Sequence, residues 1–246
     1  IIWAESEGGE NFEFVQSIAV DTSGNLFVAG GFQSSEIIFG TDTLANVGYS
    51  DAFIAKFSDG GENIWATTIG GSEIDYFENV VTDNSGFVYV SGVFQSDSLY
   101  FGSHLLVNMG RLDFFISKLD SDGNIIWVSG FGGNHDDFIS DIATENSGNV
   151  YITGNYQSNS LILGNNTLIN NGERDIFYAK IDHLGNVVWS KSTGGVNKEF
   201  PSFLDLTGPD EIYLSGSFRS QSLIFDTLFV ISNSPQPGFM VKLDAM

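Results

Sequence analysis

Short runs that alternate apolar and polar residues recur along the whole chain, with turn-forming residues between them. In the second quarter these runs are residues 79–82, 87–94, 99–107, 114–119 and 125–128. Each run is rich in aromatic and β-branched residues, and Asp, Asn, Ser and Gly fill the gaps, which is typical of strands joined by tight turns. No stretch has the 3.6-residue periodicity and the capping residues of a helix. The pattern predicts an all-β protein.

The same order of runs returns every 62 residues, and tryptophan marks the period. The four tryptophans of the chain are Trp3, Trp65, Trp127 and Trp189. A Gly-Gly pair follows each of them at the same offset. Such a spacing is produced by four copies of one structural unit. We predict a β-propeller of four repeats, at about residues 3–64, 65–126, 127–188 and 189–246, with the tryptophans packed between neighbouring blades.

The length of the repeat predicts an addition to the usual blade. Four strands of this length make one antiparallel sheet that is apolar on both faces, and radial stacking of sheets covers both faces. The unit exceeds the ~40–50 residues of common blades. We expect the surplus to form a hairpin between the second and third blade strands. A β-solenoid is the alternative repeat architecture.

The two ends of the chain cut the repeat at complementary places. Residues 1–6 carry the tryptophan strand, which is the last strand of a blade, and the chain ends just before the next such strand. We therefore expect residues 1–6 to pair with residues 238–243, complete the fourth blade and close a ring. The alternative is that the four repeats are part of a longer array.

The charge of the chain limits its partners. Its 31 acidic and 9 basic residues give a net charge of −22, which argues against nucleic acid and against anionic lipid surfaces. The absence of cysteine excludes disulfides, thiolate metal sites and a cysteine nucleophile. No apolar run approaches the ~20 residues that span a bilayer. Divalent cations, cationic partners and solubility remain as roles for the negative charge.

The repeat resembles the bacterial secreted β-propeller repeat, known as the SBBP repeat. The matching pieces of the third repeat are Trp127, Gly132-Gly133, residues 147–154, Asp175-x-Phe177-x-x-Lys180 and Trp189. The likeness covers essentially the whole chain. It implies a propeller in an exported bacterial protein, extracellular or on the cell surface, where such propellers act as scaffolds or adhesive modules. The family is not tied to one activity.

A carboxylate recurs in every repeat just before the strand expected to lie innermost. Its four copies are Glu13, Asp75, Asp137 and Glu199. In a closed ring these side chains would surround one mouth of the central channel, where they would hold Ca²⁺, a cation that prefers oxygen ligands, or a cationic group of a partner. The alternative is that each carboxylate caps backbone amides of its own blade.

Two further sets of charged residues keep the period. Acidic residues at the expected turns are predicted to shape those turns rather than to bind calcium; they are Asp21, Asp83, Asp120, Glu145 and Asp182. A lysine also recurs late in each repeat, and acids of the same blade are its expected partners. These lysines are Lys56, Lys118, Lys180 and Lys242, and the acids are Asp51, Asp113 and Asp175.

No motif in the chain specifies a reaction. A nucleophile elbow, a P-loop and a repeated histidine are all absent from the sequence. We predict a module without catalysis that binds proteins or glycans at the cell surface. Two alternatives remain: a glycan-active hydrolase or lyase at the channel mouth, for which His135, Asp136 and Asp141 are the hint, and a structural segment of a larger surface assembly.

Overall fold

A computed structural model describes residues 3–4, 6–208 and 211–244, and all regular elements in these ranges are β-strands. The strands of the first repeat are β1 Glu13–Val20, β2 Leu26–Phe32, β3 Glu36–Phe39, β4 Asp42–Ala45, β5 Asp51–Phe57 and β6 Asn63–Ile69. Those of the second are β7 Asp75–Thr82, β8 Val88–Phe94, β9 Ser98–Phe101, β10 His104–Val107, β11 Asp113–Leu119 and β12 Ile125–Phe131.

The third and fourth repeats follow the same order. The third contains β13 Asp137–Thr144, β14 Val150–Tyr156, β15 Ser160–Leu163, β16 Asn166–Ile169, β17 Asp175–Ile181 and β18 Val187–Thr193. The fourth contains β19 Glu199–Gly208, β20 Glu211–Phe218, β21 Ser222–Phe225, β22 Leu228–Ile231 and β23 Gly238–Asp244. No helix long and apolar enough to cross a bilayer occurs in the part of the chain that the structure describes.

Each sheet is an antiparallel β-propeller blade made within one period of the sequence. The strand orders are β1-β2-β5-β6, β7-β8-β11-β12, β13-β14-β17-β18 and β19-β20-β23. Because no sheet among the described residues joins strands of successive repeats, the solenoid alternative is wrong. The hairpins β3–β4, β9–β10, β15–β16 and β21–β22 lie between the second and third blade strands. The all-β class, the blade repeat and the inserted hairpin are therefore confirmed.

A bulge interrupts the pairing of the first two strands at the same point of every blade. In the first blade the register shifts between Val15 and Ser17. The second strand carries a glycine here, Gly30, because a Cβ at this position would lie 1.9 Å from the Phe14 carbonyl oxygen. The equivalent glycines, Gly92, Gly154 and Gly216, face the same obstacle at 2.0–2.3 Å. The recurring glycine of the sequence is thus required by a close approach of two backbones.

The chain divides into two compact units, residues up to 108 with 114–130, and residues 109–113 with those from 131 onward. In the first unit, one face of the first blade carries Phe27, Ala29 and Ile54, and we call the equivalent face of every blade its rear face. It packs against the side of the second blade that carries Val88 and Val90, which we call the front face.

The second unit repeats this packing. The rear face of the third blade, with Tyr151 and Tyr178, covers the front face of the fourth, which carries Ile212, Leu214 and Phe239. Stacking of rear face on front face is therefore the way in which blades bury their apolar surface within each unit.

The fourth sheet has three strands among the described residues. The proposed fourth strand, residues 1–6, falls partly outside them, since Ile1, Ile2 and Glu5 are not described. Trp3, Ala4 and Ser6 are not in a strand. Completion of the fourth blade by residues 1–6, and with it the closed ring, stays a prediction.

Candidate functional site

The recurring carboxylate is the first residue of the first strand in each blade, and the structure shows what it binds. Asp75 accepts hydrogen bonds from the Gly71 N–H at 2.8 Å, the Gln95 and Ser96 N–H groups at 3.2 Å, and the Ser96 hydroxyl at 2.6 Å. Asp137 is held equivalently by Gln157 and by Ser158. The carboxylate thus fastens the loop between blades to the start of the hairpin insertion.

The other two copies of this carboxylate make the same contacts with a longer side chain. Glu13 accepts hydrogen bonds from the Gly9 N–H and the Ser34 hydroxyl. Glu199 accepts them from the N–H groups of Gly195 and Ser220 at 3.2 Å. Each of the four acids therefore caps donors of its own repeat.

This saturation bears on the predicted calcium ring. The two carboxylate oxygens of Asp75 already accept four hydrogen bonds. A Ca²⁺ ion takes six to eight oxygen ligands, so it would have to compete with these donors for the oxygens of Asp75. In residues 3–4, 6–208 and 211–244, no three histidine, aspartate or glutamate side chains form a group that could hold a metal ion. Calcium at the four carboxylates stays a prediction, and an unchanged melting temperature after chelation would exclude a structural ion.

A second row of acids lies beside the first. These acids, Asp51, Asp113 and Asp175, are fully buried. One oxygen of each accepts a hydrogen bond from a backbone N–H; for Asp113 the donor is the Met109 N–H, at 2.7 Å. The other oxygen, Oδ1, has no hydrogen-bond partner within the described ranges. Burial raises the pKa of Asp51 to about 6 and that of Asp113 to about 7, and the neighbouring acids Asp75 and Asp137 add to the rise.

The Gly-Gly pair is explained by these two rows of acids. A Cβ on Gly132 would lie 2.0 Å from Asp113 Oδ1, and a Cβ on Gly133 would lie 2.6 Å from the Ser158 Cβ. The first glycine therefore leaves room for the buried acid, and the second leaves room for the serine that binds Asp137. Sequence reasoning identified the pair but not its cause.

The turn acids take the predicted role. Oδ1 of Asp83 accepts hydrogen bonds from the N–H groups of Ser85 and Phe87. Oδ1 of Asp120 likewise accepts hydrogen bonds from the N–H groups of Asp122 and Asn124. Asp21 and Asp182 do the same, and Glu145 accepts the Ser147 hydroxyl. Turn formation is confirmed.

The three acids named as partners of the recurring lysines are wrong, but pairing with an acid of the same blade is confirmed for Lys180 and Lys242. Lys56 donates to the Ser121 carbonyl at 2.9 Å, Lys180 pairs with Glu145 at 3.6 Å, and Lys242 pairs with Glu211 at 3.0 Å. Lys118 lies 4.0 Å from the centre of the Phe87 ring. None of these contacts involves Asp51, Asp113 or Asp175. The reason is that the acid and the lysine are five residues apart on one strand, so their side chains point to opposite faces of the blade.

The tryptophans pack on an aromatic ring of their own blade. Trp127 lies 6.4 Å from Tyr89 and Trp189 lies 6.2 Å from Tyr151, measured between ring centres. The indole N–H of Trp65 also donates to the Ser121 carbonyl of the next repeat at 3.1 Å, and that of Trp3 donates to the Asp59 carbonyl at 3.0 Å. Trp3 thus takes on the first blade the position that Trp65 takes on the second.

The structure does not join the three residues that hinted at an enzyme. The Asp136 carboxylate lies 3.7 Å from the Arg111 guanidinium, and the His135 N–H donates to the Ser158 hydroxyl. Asp141 sits midway along β13, where it accepts the Leu204 N–H of the next blade at 2.7 Å. The two carboxylates serve different contacts, and within the described residues no three acidic or histidine side chains form a group that could hold a metal ion, so the enzyme hypothesis keeps no residue set.

The outer face of the inserted hairpins is a candidate interaction surface. In β9–β10, Leu99, Phe101 and Leu106 are buried, while the paired residues Tyr100 and Leu105 are exposed. We call the exposed apolar side chains on these hairpins the hairpin surface; it comprises Ile38, Tyr100, Leu105, Val107, Ile162, Ile169, Ile224, Leu228, Phe229 and Ile231. Sequence reasoning found the hairpins but not this surface, whose signal was their lack of alternating polar residues.

A second apolar feature lies on the front face of the first blade. A cavity of about 280 Å³ opens there, lined by Trp3, Phe14, Val28, Phe39 and Phe53 among others. The equivalent surface of the second blade is covered by the first blade.

Comparison with known proteins supports the repeat architecture. No family model matches the chain. The chain is 25% identical over 266 residues to an uncharacterized WD repeat-containing protein of Acanthamoeba polyphaga mimivirus, an alignment that covers 91% of this chain and 19% of that relative. The chain thus spans about a fifth of the length of the curated relative it matches.

Two solved structures are distantly similar. A protein of unknown function from Bacteroides caccae matches at 9% identity with a TM-score of 0.35, over 83% of this chain and 71% of that one. A variant of the Synechocystis apocarotenoid oxygenase matches at 10% identity with a TM-score of 0.42, over 98% of this chain and 51% of that one. Likenesses of this strength carry no argument about function. The blades and the WD repeat relative define the chain as a repeat protein built of β-propeller blades.

Proposed function

We propose that the chain is a binding and scaffold module of an extracellular or cell-surface bacterial protein, and that it holds a protein or glycan partner on its hairpin surface. The exposed apolar faces of the inserted hairpins carry this proposal. Within the second repeat, Tyr100, Leu105 and Val107 are exposed on one face of a single hairpin, and clustered exposed apolar groups are characteristic of interaction sites on soluble proteins. The remoter resemblance to the SBBP repeat supports the location outside the cell.

The hairpin surface has the chemistry of a recognition site. Tyr100 is 66% exposed and pairs across the hairpin with Leu105, and Val107 lies on the same face because it follows Leu105 by two residues along the strand. In the fourth repeat Phe229 pairs with Ile224 in the same way. Aromatic rings beside aliphatic side chains suit the apolar faces of sugars as well as the side chains of a protein.

The polar residues of the repeat are engaged elsewhere. The recurring carboxylates, the turn acids and the lysines bind groups of the described repeats themselves, as shown above. This arrangement supports a scaffold role, because these polar groups hold the blades together. The net charge of −22 adds a preference for neutral or basic partners and predicts that binding of basic partners weakens as salt is added.

The test compares two variants in direct binding measurements. One replaces Tyr100, Leu105 and Val107 together by serine; the control replaces Val188 by serine, since Val188 is equally exposed on an outer blade strand. Both are titrated against a panel of bacterial surface polysaccharides and against secreted bacterial proteins purified singly. We expect binding to one member of the panel, its loss in the triple variant and its retention in the control.

The outcomes separate the competing functions. Equal binding by the wild type and the triple variant would refute the role of the hairpin surface. Release of reducing ends from a polysaccharide by the wild type would support the hydrolase alternative. Absence of binding to every member of both panels would favour a purely structural segment.

A further inference from the structure

The front face of the first blade carries the apolar side chains of a face that another blade covers, but several of these side chains are exposed. At every position where the second blade buries an apolar side chain under its neighbour, the first blade also has an apolar side chain. Ile18 corresponds to Val80 in this way, yet Ile18 is 63% exposed and Val80 only 2%. Val15 is likewise exposed, whereas its equivalent Phe77 is fully buried. The cavity of about 280 Å³ lies on this face.

The rear face of the fourth blade has the matching shape. On the first blade the covering side chains are Phe27, Ala29, Ala52 and Ile54. The fourth blade repeats their sizes in the same order, with Tyr213, Ser215, Gly238 and Met240. Met240 is 76% exposed, whereas its equivalent Ile54 is completely buried. This face thus keeps the pattern of large and small groups that fits a front face.

A backbone carbonyl fixes how such faces would align. The Ser121 carbonyl of the second repeat accepts two hydrogen bonds from the preceding blade, from Lys56 at 2.9 Å and from Trp65 at 3.1 Å. The equivalent Asp59 carbonyl accepts the Trp3 indole N–H at 3.0 Å. The corresponding lysine of the fourth blade is Lys242, whose contact is an exposed ion pair with Glu211.

The pairing of the third strand differs between the fourth sheet and the other three. In the other three blades the third strand pairs on both sides, the outer partner being the strand that carries the tryptophan. Within the described residues β23 pairs with β20 alone. The outer side of β23 is therefore where a tryptophan strand is expected, as in the other three blades.

We infer that the front face of the first blade binds the rear face of the fourth blade of a second copy of this chain. Tyr213 and Met240 of the second copy fill the cavity, Lys242 donates to the Asp59 carbonyl, and β23 lies beside Trp3. The contact extends to another copy the same stacking that buries apolar surface within each unit. It is a different surface from the hairpin surface of the proposed function.

Such an interface is heterologous, because the two copies contribute different faces. Copies therefore associate head to tail, and each added copy leaves one front and one rear face free, which produces closed rings or open filaments. The charge of −22 on each copy opposes association, so screening by salt should strengthen it.

The test uses the 246-residue chain and two single substitutions at exposed positions, Ile18→Glu on the front face and Met240→Glu on the rear face. Analytical ultracentrifugation measures the mass across the micromolar range at low and high salt. We expect the wild type to form species larger than a dimer. Each variant alone should associate at least about 100-fold more weakly, since an unpaired carboxylate would be buried in an apolar contact.

An equimolar mixture of the two variants is the decisive measurement. Each variant keeps one functional face, so the mixture should form a one-to-one dimer and nothing larger. Val15→Glu is a second front-face variant if Ile18→Glu does not fold, and Val188→Ser should assemble like the wild type. A wild-type chain that stays monomeric, as a closed ring of its own four blades would, single variants that assemble like the wild type, or a mixture that forms no dimer would each overturn the inference.

Discussion

The buried acids of the second row predict that the chain becomes less stable as the pH rises from 5 to 8. Burial first, and the neighbouring Asp137 carboxylate second, raise the pKa of Asp113 from 3.8 to about 7. Burial and Asp75 likewise raise that of Asp51 from 3.8 to about 6. A carboxyl group with a raised pKa binds its proton more tightly in the folded chain than in the unfolded chain. Its stabilising effect is fully present below about pH 4 and is lost as the pH rises through 6 and 7.

The size of the effect follows from the pKa difference. At about 1.4 kcal/mol per unit of pKa, ionisation of Asp113 lowers the free energy of unfolding by roughly 4 kcal/mol and that of Asp51 by roughly 3 kcal/mol. These are orders of magnitude for two buried groups, and much of the loss falls between pH 5 and pH 8. Relief of general charge repulsion at low pH acts in the same direction, so a variant must isolate the individual acid.

Asp113→Asn isolates it, because asparagine has nearly the shape of the protonated acid and does not titrate. Urea unfolding followed by tryptophan fluorescence would give the free energy of unfolding at pH 5 and pH 8 for both proteins. We expect the difference between the two pH values to shrink by roughly 2–4 kcal/mol in the variant. Any constant cost of the new buried amide cancels in this comparison.

Asp120→Asn is the matched control. Hydrogen bonding by Asn124 lowers the pKa of Asp120, so this group stays ionised from pH 5 to pH 8. The control should keep the full pH dependence of the wild type. An Asp113→Asn variant with that same dependence, or a wild type that gains stability towards pH 8, would refute the reasoning.

Four further substitutions test single features of the fold by urea unfolding at pH 5. Gly132→Ala should cost about 1–3 kcal/mol, because its Cβ would overlap the Asp113 carboxyl group; a neutral result would mean that the loop gives way. Gly102→Ala should cost about 1 kcal/mol because of its φ of +59° alone. Gly208→Ala is its control, since a Cβ there would contact no described atom and the φ is not positive, and it should be nearly neutral. Equal costs for the two variants would contradict this. Trp65→Phe should cost about 1 kcal/mol through loss of its indole hydrogen bond, and an unchanged stability would show that the bond contributes nothing net.

The sequence predicted what depends on local periodicity. The 62-residue period identified the blades, and the alternation of apolar and polar residues identified the strands. The length of the repeat beyond that of a common blade identified the inserted hairpins. Turn acids such as Asp83 were also predictable, because their partners are near neighbours in the sequence. Asp83 accepts a hydrogen bond from the N–H of Ser85, two residues later, and Gly86 follows directly.

The sequence did not predict which loop packs over which strand. Asp51 looks like a partner for Lys56, yet the strand turns one to the front and the other to the rear of the blade. Asp51 instead lies against Gly70, nineteen residues further on; both positions recur in the sequence, but the period does not show that they touch. The exposed hairpin surface was missed for a related reason, since a short apolar run does not say which of its faces is covered.

The fit between Gly70 and Asp51 restricts how copies of the repeat can diverge. A side chain at the glycine fits only where the acid has been replaced, so the two positions are coupled. The fourth repeat has Pro237 in place of the acid, and in the first repeat the nearest atom to a Cβ on Gly8 would be Glu13 Oε2, at 3.3 Å. Mutagenesis that treats each site separately would therefore mistake one joint constraint for two.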